Sequence, residues 1–121
     1  MATFSKLIFN GGNYNGQGIQ VSTAATPTGI HRTNGVSGVI DEVWLWATNV
    51  AINPTPVNLA VTFGGTGTTN QVSMSIASAT GPILVIPGWS LVNTGGALDV
   101  SASAAISGAL NIYGYVNRIT P

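Results

Sequence analysis

Side chains that could carry acid–base, metal-binding or nucleophilic chemistry are few in this sequence. It contains one histidine, His31, no cysteine, and only three carboxylates, namely Asp41, Glu42 and Asp99. A metal site needs several such ligands close together, and no spacing here groups His31 with the carboxylates. We therefore predict that His31 is a loop residue beside Arg32. Asp41 and Glu42 are adjacent on a predicted strand, so they point to opposite faces and cannot form a glycosidase pair by themselves.

Two short motifs could suggest catalysis, and neither has the residues that catalysis needs. The glycine-rich segment 64–69 follows a predicted strand, but it lacks the lysine of a phosphate-binding loop, so a hairpin tip is the better interpretation. Ser90 lies outside any Gly-x-Ser-x-Gly elbow, and His31 is the only base available to it. We therefore expect no enzyme activity, no catalytic residues, and no bound cofactor or metal ion.

Charged residues make up only 5% of the 121-residue chain, and the formal net charge is zero. A typical soluble domain is about 25% charged, so we expect either that this chain is poorly soluble alone or that much of its surface is covered by other protein. Lys6, Arg32 and Arg118 are scattered singly, which predicts no nucleic-acid binding because phosphate recognition needs clustered cations. The longest aliphatic run, 83–86, is far shorter than the ~20 residues of a membrane helix, and the N-terminus lacks a signal-peptide pattern. We expect no membrane association.

The elements that would position these residues are predicted to be strands. Gly, Thr, Asn, Ser and Val are frequent, and these types favour turns and strands. Apolar and polar residues alternate with a period of two, and turn signals such as Pro87-Gly88 separate the runs. The fold expected is one all-β domain over 1–121, an antiparallel β-sandwich or jelly roll of about seven to eight strands. The strands are predicted near 4–9, 18–24, 38–48, 56–63, 71–77, 82–86, 97–103 and 109–119.

The aromatic residues of two predicted strands alternate with aliphatic ones. Trp44 and Trp46 share one face of the strand near 38–48, and Tyr113 and Tyr115 repeat the arrangement on the last strand. Trp and Tyr are enriched in protein interfaces, so we predict a subunit interface that contains these four residues and Trp89. Two alternatives stay open. Either the tryptophan strand is buried on both faces, or the rings of Trp89, Trp44 and Tyr115 stack on sugars with Asn and Asp as hydroxyl partners.

Three segments carry a family resemblance: ILVIPGW at 83–89, NTGGALDVSASA at 93–104 and LNIYGYVNRI at 110–119. An aliphatic run, a glycine and a hydrophobic strand ending in Ser-Ala precede a closing strand with a central glycine. This pattern, together with the start MATF and with VWLWATN at 43–49, resembles small β-sandwich virion proteins of tailed bacteriophages. The resemblance implies a structural role on the outer surface of the virion, on a capsid, neck or tail.

The expected function is that of a head decoration, or cement, protein that binds the major capsid protein or another virion protein. A neck, collar or tail-fibre component is the alternative with the same fold, and a carbohydrate-binding host-attachment module is the alternative from another class. Aromatic residues exposed on a nearly uncharged chain would form a larger apolar patch than monomers usually tolerate, so we expect a symmetric homo-oligomer. The resemblance favours a homotrimer, since such proteins commonly sit near capsid three-fold axes.

Overall fold

The computed structural model describes residues 2–12, 14–51, 55–64, 70–78 and 81–121. Strands form where apolar and polar side chains alternate, because successive residues of a strand point to opposite faces. Within the described residues the chain forms nine strands: β1 (Thr3–Ile8), β2 (Ile19–Gln20), β3 (Thr28–Arg32), β4 (Ile40–Asn49), β5 (Val57–Phe63), β6 (Gln71–Ile76), β7 (Ile83–Val92), β8 (Asp99–Ala104) and β9 (Leu110–Thr120).

The strands form two antiparallel sheets in jelly-roll order. The larger sheet has the order β1-β9-β4-β7, with β2 also pairing with β9, and the smaller sheet has the order β3-β8-β5-β6. The chain therefore folds like one long hairpin in which β1 and β2 pair with β9, β3 with β8, β4 with β7 and β5 with β6. This nested pairing, wrapped into two facing sheets, is the arrangement of a jelly roll. The predicted all-β antiparallel sandwich is confirmed.

A hydrophobic core fills the space between the two sheets. Val43 and Leu45 of β4 are fully buried there, and Val61 of β5 and Ile112 of β9 are buried beside them. Gly114 pairs with Leu45 across the ladder and has a φ of 152°. A Cβ atom at this position would meet the carbonyl oxygen of Trp44 and the ring of Phe9. The glycine therefore makes the space in which Phe9 packs beneath the middle of β9.

Two features of the strands differ from the prediction. The described residues form nine strands rather than seven or eight, because β3 forms where no strand is predicted. Its register against β8 shifts between Gly29 and His31, so its side chains do not alternate regularly. The predicted turn at Pro87-Gly88 is wrong, because both residues lie within β7. Gly88 has a φ of 80°, and the register of β7 against β4 shifts beside it, which is the geometry of a β-bulge. Residues 65–69 of the predicted hairpin tip lie outside the described residues.

Candidate functional site

The outer face of the larger sheet carries the predicted interface residues of β4 and β9. In β4 the odd-numbered residues are buried and the even-numbered ones are half-buried and point outward. Because β9 is the antiparallel neighbour of β4, Trp44 lies opposite Tyr115 and Trp46 lies opposite Tyr113. We call this surface the aromatic face. Its members are Phe4, Lys6 and Ile8 of β1, Asn111, Tyr113, Tyr115, Asn117 and Ile119 of β9, Ile40, Glu42, Trp44, Trp46 and Thr48 of β4, and Leu84, Ser90 and Val92 of β7.

Three rings of the aromatic face pack against one another. The ring centroids of Trp44 and Trp46 are 6.5 Å apart, those of Trp44 and Tyr115 are 6.3 Å apart, and those of Trp46 and Tyr115 are 5.9 Å apart. Lys6 of β1 places its ammonium group 4.2 Å from the centroid of the Tyr115 ring, a cation–π contact. The sequence does not place Lys6 here, because its spacing gives no sign that β1 pairs with β9. The rings thus form one preformed cluster with a cation on one side.

Glu42 is the one carboxylate on the aromatic face. Its Oε1 accepts a hydrogen bond from Nε1 of Trp44 at 2.6 Å and a second from Nδ2 of Asn117 at 3.2 Å. Both bonds lower the pKa of Glu42 below its usual value, and the bond from Trp44 has the larger effect. The carboxylate is therefore charged at neutral pH. The bond to Trp44 also fixes the orientation of the indole ring. The aromatic face therefore combines ordered rings with one cation and one anion.

Large aliphatic and aromatic side chains extend the aromatic face beyond the ring cluster. Phe4 is 72% exposed and lies opposite Ile119, and Ile8, Leu84 and Val92 are also exposed. With about 4.8 Å between strands and about 3.3 Å per residue, four strands of this length span roughly 600 Å². The aromatic face therefore combines exposed rings and aliphatic side chains with Lys6, Glu42 and a few amide and hydroxyl groups.

The outer face of the smaller sheet has a different character. A shallow groove of about 460 Å³ crosses this region and is lined by small side chains such as Ala60, Ser73 and Ser103. The sandwich is therefore asymmetric, with large rings on one outer face and small side chains on the other. The outward residues of β5, β6 and β8 are mostly small and uncharged: Asn58, Ala60, Thr62, Ser73, Ser75, Ser101 and Ser103.

Trp89 lies apart from the other predicted interface residues. It pairs with the inward-facing residue Val43, and its ring stacks on that of Phe63 in the smaller sheet at a centroid distance of 5.5 Å. Phe63 is buried, whereas Trp89 is 52% exposed. Trp89 therefore covers the open side of the core between β7 and β5, and it does not extend the aromatic face.

A buried polar cluster joins β3, β4 and β9. The Asp41 carboxylate is fully buried, lies 3.0 Å from Nε2 of His31, and accepts hydrogen bonds from Nε and Nη2 of Arg118 at 2.7 and 2.8 Å. Nδ1 of His31 faces the backbone N–H of Asn10, which can only donate, so Nε2 carries the proton that is donated to Asp41. The prediction that His31 is a loop residue is wrong, because His31 lies in β3. The pairing of β4 with β9 places Arg118 beside Asp41, 77 positions away in the chain, and the packing of one sheet on the other brings His31, 10 positions away, to the same carboxylate.

The electrostatics of this cluster are those of a structural contact. Burial by itself raises the pKa of Asp41, but the hydrogen bonds from Arg118 and His31 outweigh it and lower the pKa to about 2. Asp41 and Glu42 point to opposite faces of β4, as predicted. Asp99 forms an exposed ion pair with Arg32 at 3.2 Å, away from the cluster. In the described ranges, no group of three or more His, Asp or Glu side chains could hold a metal ion.

No helix in the part of the chain that the structure describes is long and apolar enough to cross a membrane. Neither a scan against protein-family models nor a search of curated proteins finds a match for this chain.

Proposed function

We propose that this chain is a non-enzymatic structural protein of a bacteriophage virion, a decoration protein that binds the outer surface of the head. In this proposal three copies associate as a homotrimer through their aromatic faces. The observation that carries the proposal is the contrast between the two outer faces of the sandwich. One presents the ring cluster around Trp44 and Tyr115, and the other presents small side chains.

Protein–protein contact is the use that best accounts for the aromatic face. Trp and Tyr dominate the energetic centres of interfaces, and charged residues are depleted there. The aromatic face has that composition, with one cation and one anion among 16 outward residues of four strands. Phe4 lies on the edge strand β1 and is exposed in the single chain. A partner that covers the aromatic face would also remove this side chain from water.

The assignment to a phage virion is supported by three features. The segments at 83–89, 93–104 and 110–119 resemble small virion sandwich proteins. Jelly-roll sandwiches are common in viral capsid domains, although a fold by itself does not fix a function. A chain with no net charge and scattered cations suits the outside of a particle better than a surface that contacts nucleic acid.

Copy number in purified virions tests the decoration role against the other structural roles. Quantitative mass spectrometry would compare peptides of this chain with peptides of the major capsid protein. A decoration protein is expected in numbers comparable with the capsid subunits. A small fraction of that number would instead support a neck, collar or tail-fibre component, and absence from the virion would overturn the proposal.

Carbohydrate binding is the second candidate, because polar groups lie beside the rings of the aromatic face. Glu42 and Asn117 are positioned to meet sugar hydroxyls next to Tyr115. Against this use, Lys6 occupies one side of the Tyr115 ring, and Trp44 and Asn117 already donate to Glu42. A glycan array and tryptophan fluorescence titrations separate the candidates. Saturable quenching by a sugar would favour attachment, and the proposed structural role predicts none.

A further inference from the structure

The charged side chains of this protein are paired within the chain, with two exceptions. Arg118 pairs with Asp41 inside the sandwich, and Arg32 pairs with Asp99 on the surface. Of the six Lys, Arg, Asp and Glu residues, all of which the structure describes, Lys6 and Glu42 are left without an ion pair. Both lie on the aromatic face and they have opposite charges. We propose that Lys6 of one copy pairs with Glu42 of the next copy and thereby sets the register of the oligomer, an inference that rests on the proposed self-association.

The positions of the two charges on the sheet suit such a contact. Lys6 lies on the edge strand β1, Glu42 lies on β4, and Asn117 of β9 separates them. A groove of about 510 Å³ runs between them and is also lined by Phe4 and Ile119. A cation therefore stands on one side of an open, partly apolar groove and a carboxylate stands on the other. The two sides of the aromatic face are electrostatically complementary to each other.

The cost of burying a charge identifies what covers this face. A carboxylate that is removed from water needs a cation or several donors, and an ammonium group needs an acceptor. Glu42 receives two hydrogen bonds within its own chain, both at Oε1, and no cation. A second copy of this chain supplies the required charges, because its own Lys6 and Glu42 are the unpaired ones. A purely apolar partner would leave both charges uncompensated.

Cyclic symmetry allows every copy to satisfy both charges. If the β1 side of one aromatic face meets the β4 side of the next, Lys6 faces Glu42 at each contact around the ring. A register that juxtaposes like sides would bring Lys6 to Lys6 or Glu42 to Glu42, and such like-charge contacts are strongly disfavoured. The Lys6–Glu42 pair therefore favours one relative position of neighbouring copies over the others that contacts between the rings alone would allow.

Charge reversal tests the pairing. Sedimentation equilibrium would measure the association constant of the wild type, Lys6→Glu, Glu42→Lys and the double reversal. Each single reversal is expected to weaken association by about 30-fold or more, and the double reversal is expected to recover at least about 10-fold of that loss. Arg32→Glu and Asp99→Lys are the matched controls, because they make the same charge changes at the exposed pair of the smaller sheet. Both controls should associate like the wild type.

Two further variants separate charge from the local contacts of each residue. Glu42→Gln keeps an oxygen that can accept from Trp44 and Asn117, and Lys6→Met keeps the apolar stem over Tyr115. Each is expected to weaken association by about 10-fold while far-UV circular dichroism stays that of the wild type. If the wild type associates and these variants and the reversals do not change it, the charge pairing is wrong and the proposed oligomer stands. If the wild type is a monomer at micromolar concentration, the proposed self-association is wrong and the pairing with it.

Discussion

Replacing Asp41 by asparagine is the sharpest test of how the two sheets are held together. The carboxylate is fully buried beneath β4, where it lies within hydrogen-bond distance of His31 and accepts two bonds from Arg118. Asparagine has nearly the same shape, so the substitution leaves no cavity. It removes the negative charge and turns an NH2 group toward partners that are themselves donors. The change therefore isolates the electrostatic part of the cluster.

The expected loss of folding free energy in Asp41→Asn follows from the burial of Asp41 and Arg118. Removing one member of a buried ion pair typically costs about 3–5 kcal/mol, because the other charge is left uncompensated. The Arg118 side chain is 20% exposed, so its guanidinium keeps some contact with water and the lower end of that range applies. We therefore expect the free energy of unfolding to fall by about 3 kcal/mol, a large share of the ~5–15 kcal/mol of a typical domain.

Urea unfolding at pH 7 and one fixed protein concentration measures this loss, since association would otherwise change the apparent stability. Asp99→Asn is the matched control, because it removes the same charge from an exposed pair with Arg32. We expect the control to lose less than about 1 kcal/mol. If Asp41→Asn were no more destabilising than the control, the buried pairing of Asp41 would be wrong.

The other predictions concern acid stability, the glycine of β9 that contacts Phe9, and a buried asparagine. Because the folded pKa of Asp41 is about 2 and the unfolded value is about 3.9, its contribution of about 2–3 kcal/mol is complete above pH ~5 and is lost as the pH falls through 2. Acid titrations of stability should show this loss in the wild type and not in Asp41→Asn. Gly114→Ala should lower the free energy of unfolding by about 3 kcal/mol or more, since the φ of 152° and the Trp44 carbonyl leave no room for a Cβ atom. An unchanged melting temperature would contradict this packing. Asn93→Ala should lower the free energy of unfolding in urea by about 2 kcal/mol, because the buried Thr33 hydroxyl and a main-chain carbonyl lose their hydrogen-bond partner. A loss below about 0.5 kcal/mol would show that these bonds contribute little.

The strands that could be predicted are those whose own residues carry the period of two. β4, β5 and β9 have an apolar side that must face a core, so alternation alone is enough to find them. β3 has a register shift at Gly29, and its strand conformation depends on pairing with β8, which is remote in sequence. Pro87-Gly88 has the local composition of a turn, but the pairing of β7 with β4 continues across it through a bulge.

The candidate site could be predicted only one strand at a time. Alternation places Trp44 and Trp46 on one face of β4, and Tyr115 on one face of β9. That the two sets meet depends on β4 and β9 being neighbours, which follows from the order of strands in the sheet and not from local sequence. The same order brings Lys6 onto Tyr115. Trp89 has the same residue type as Trp44, yet the bulge in β7 directs it to the core opening beside Phe63.

The mass of the protein in solution tests the central claim most directly, because the claim is that copies of this chain cover the aromatic face. Light scattering of the wild type should give three times the chain mass of 12.3 kDa. Trp44→Ser/Trp46→Ser should give the mass of one chain while its far-UV circular dichroism remains that of a β protein, and Trp89→Ser should remain trimeric. A wild type that is monomeric at micromolar concentration, or a double variant that stays trimeric, would contradict the account.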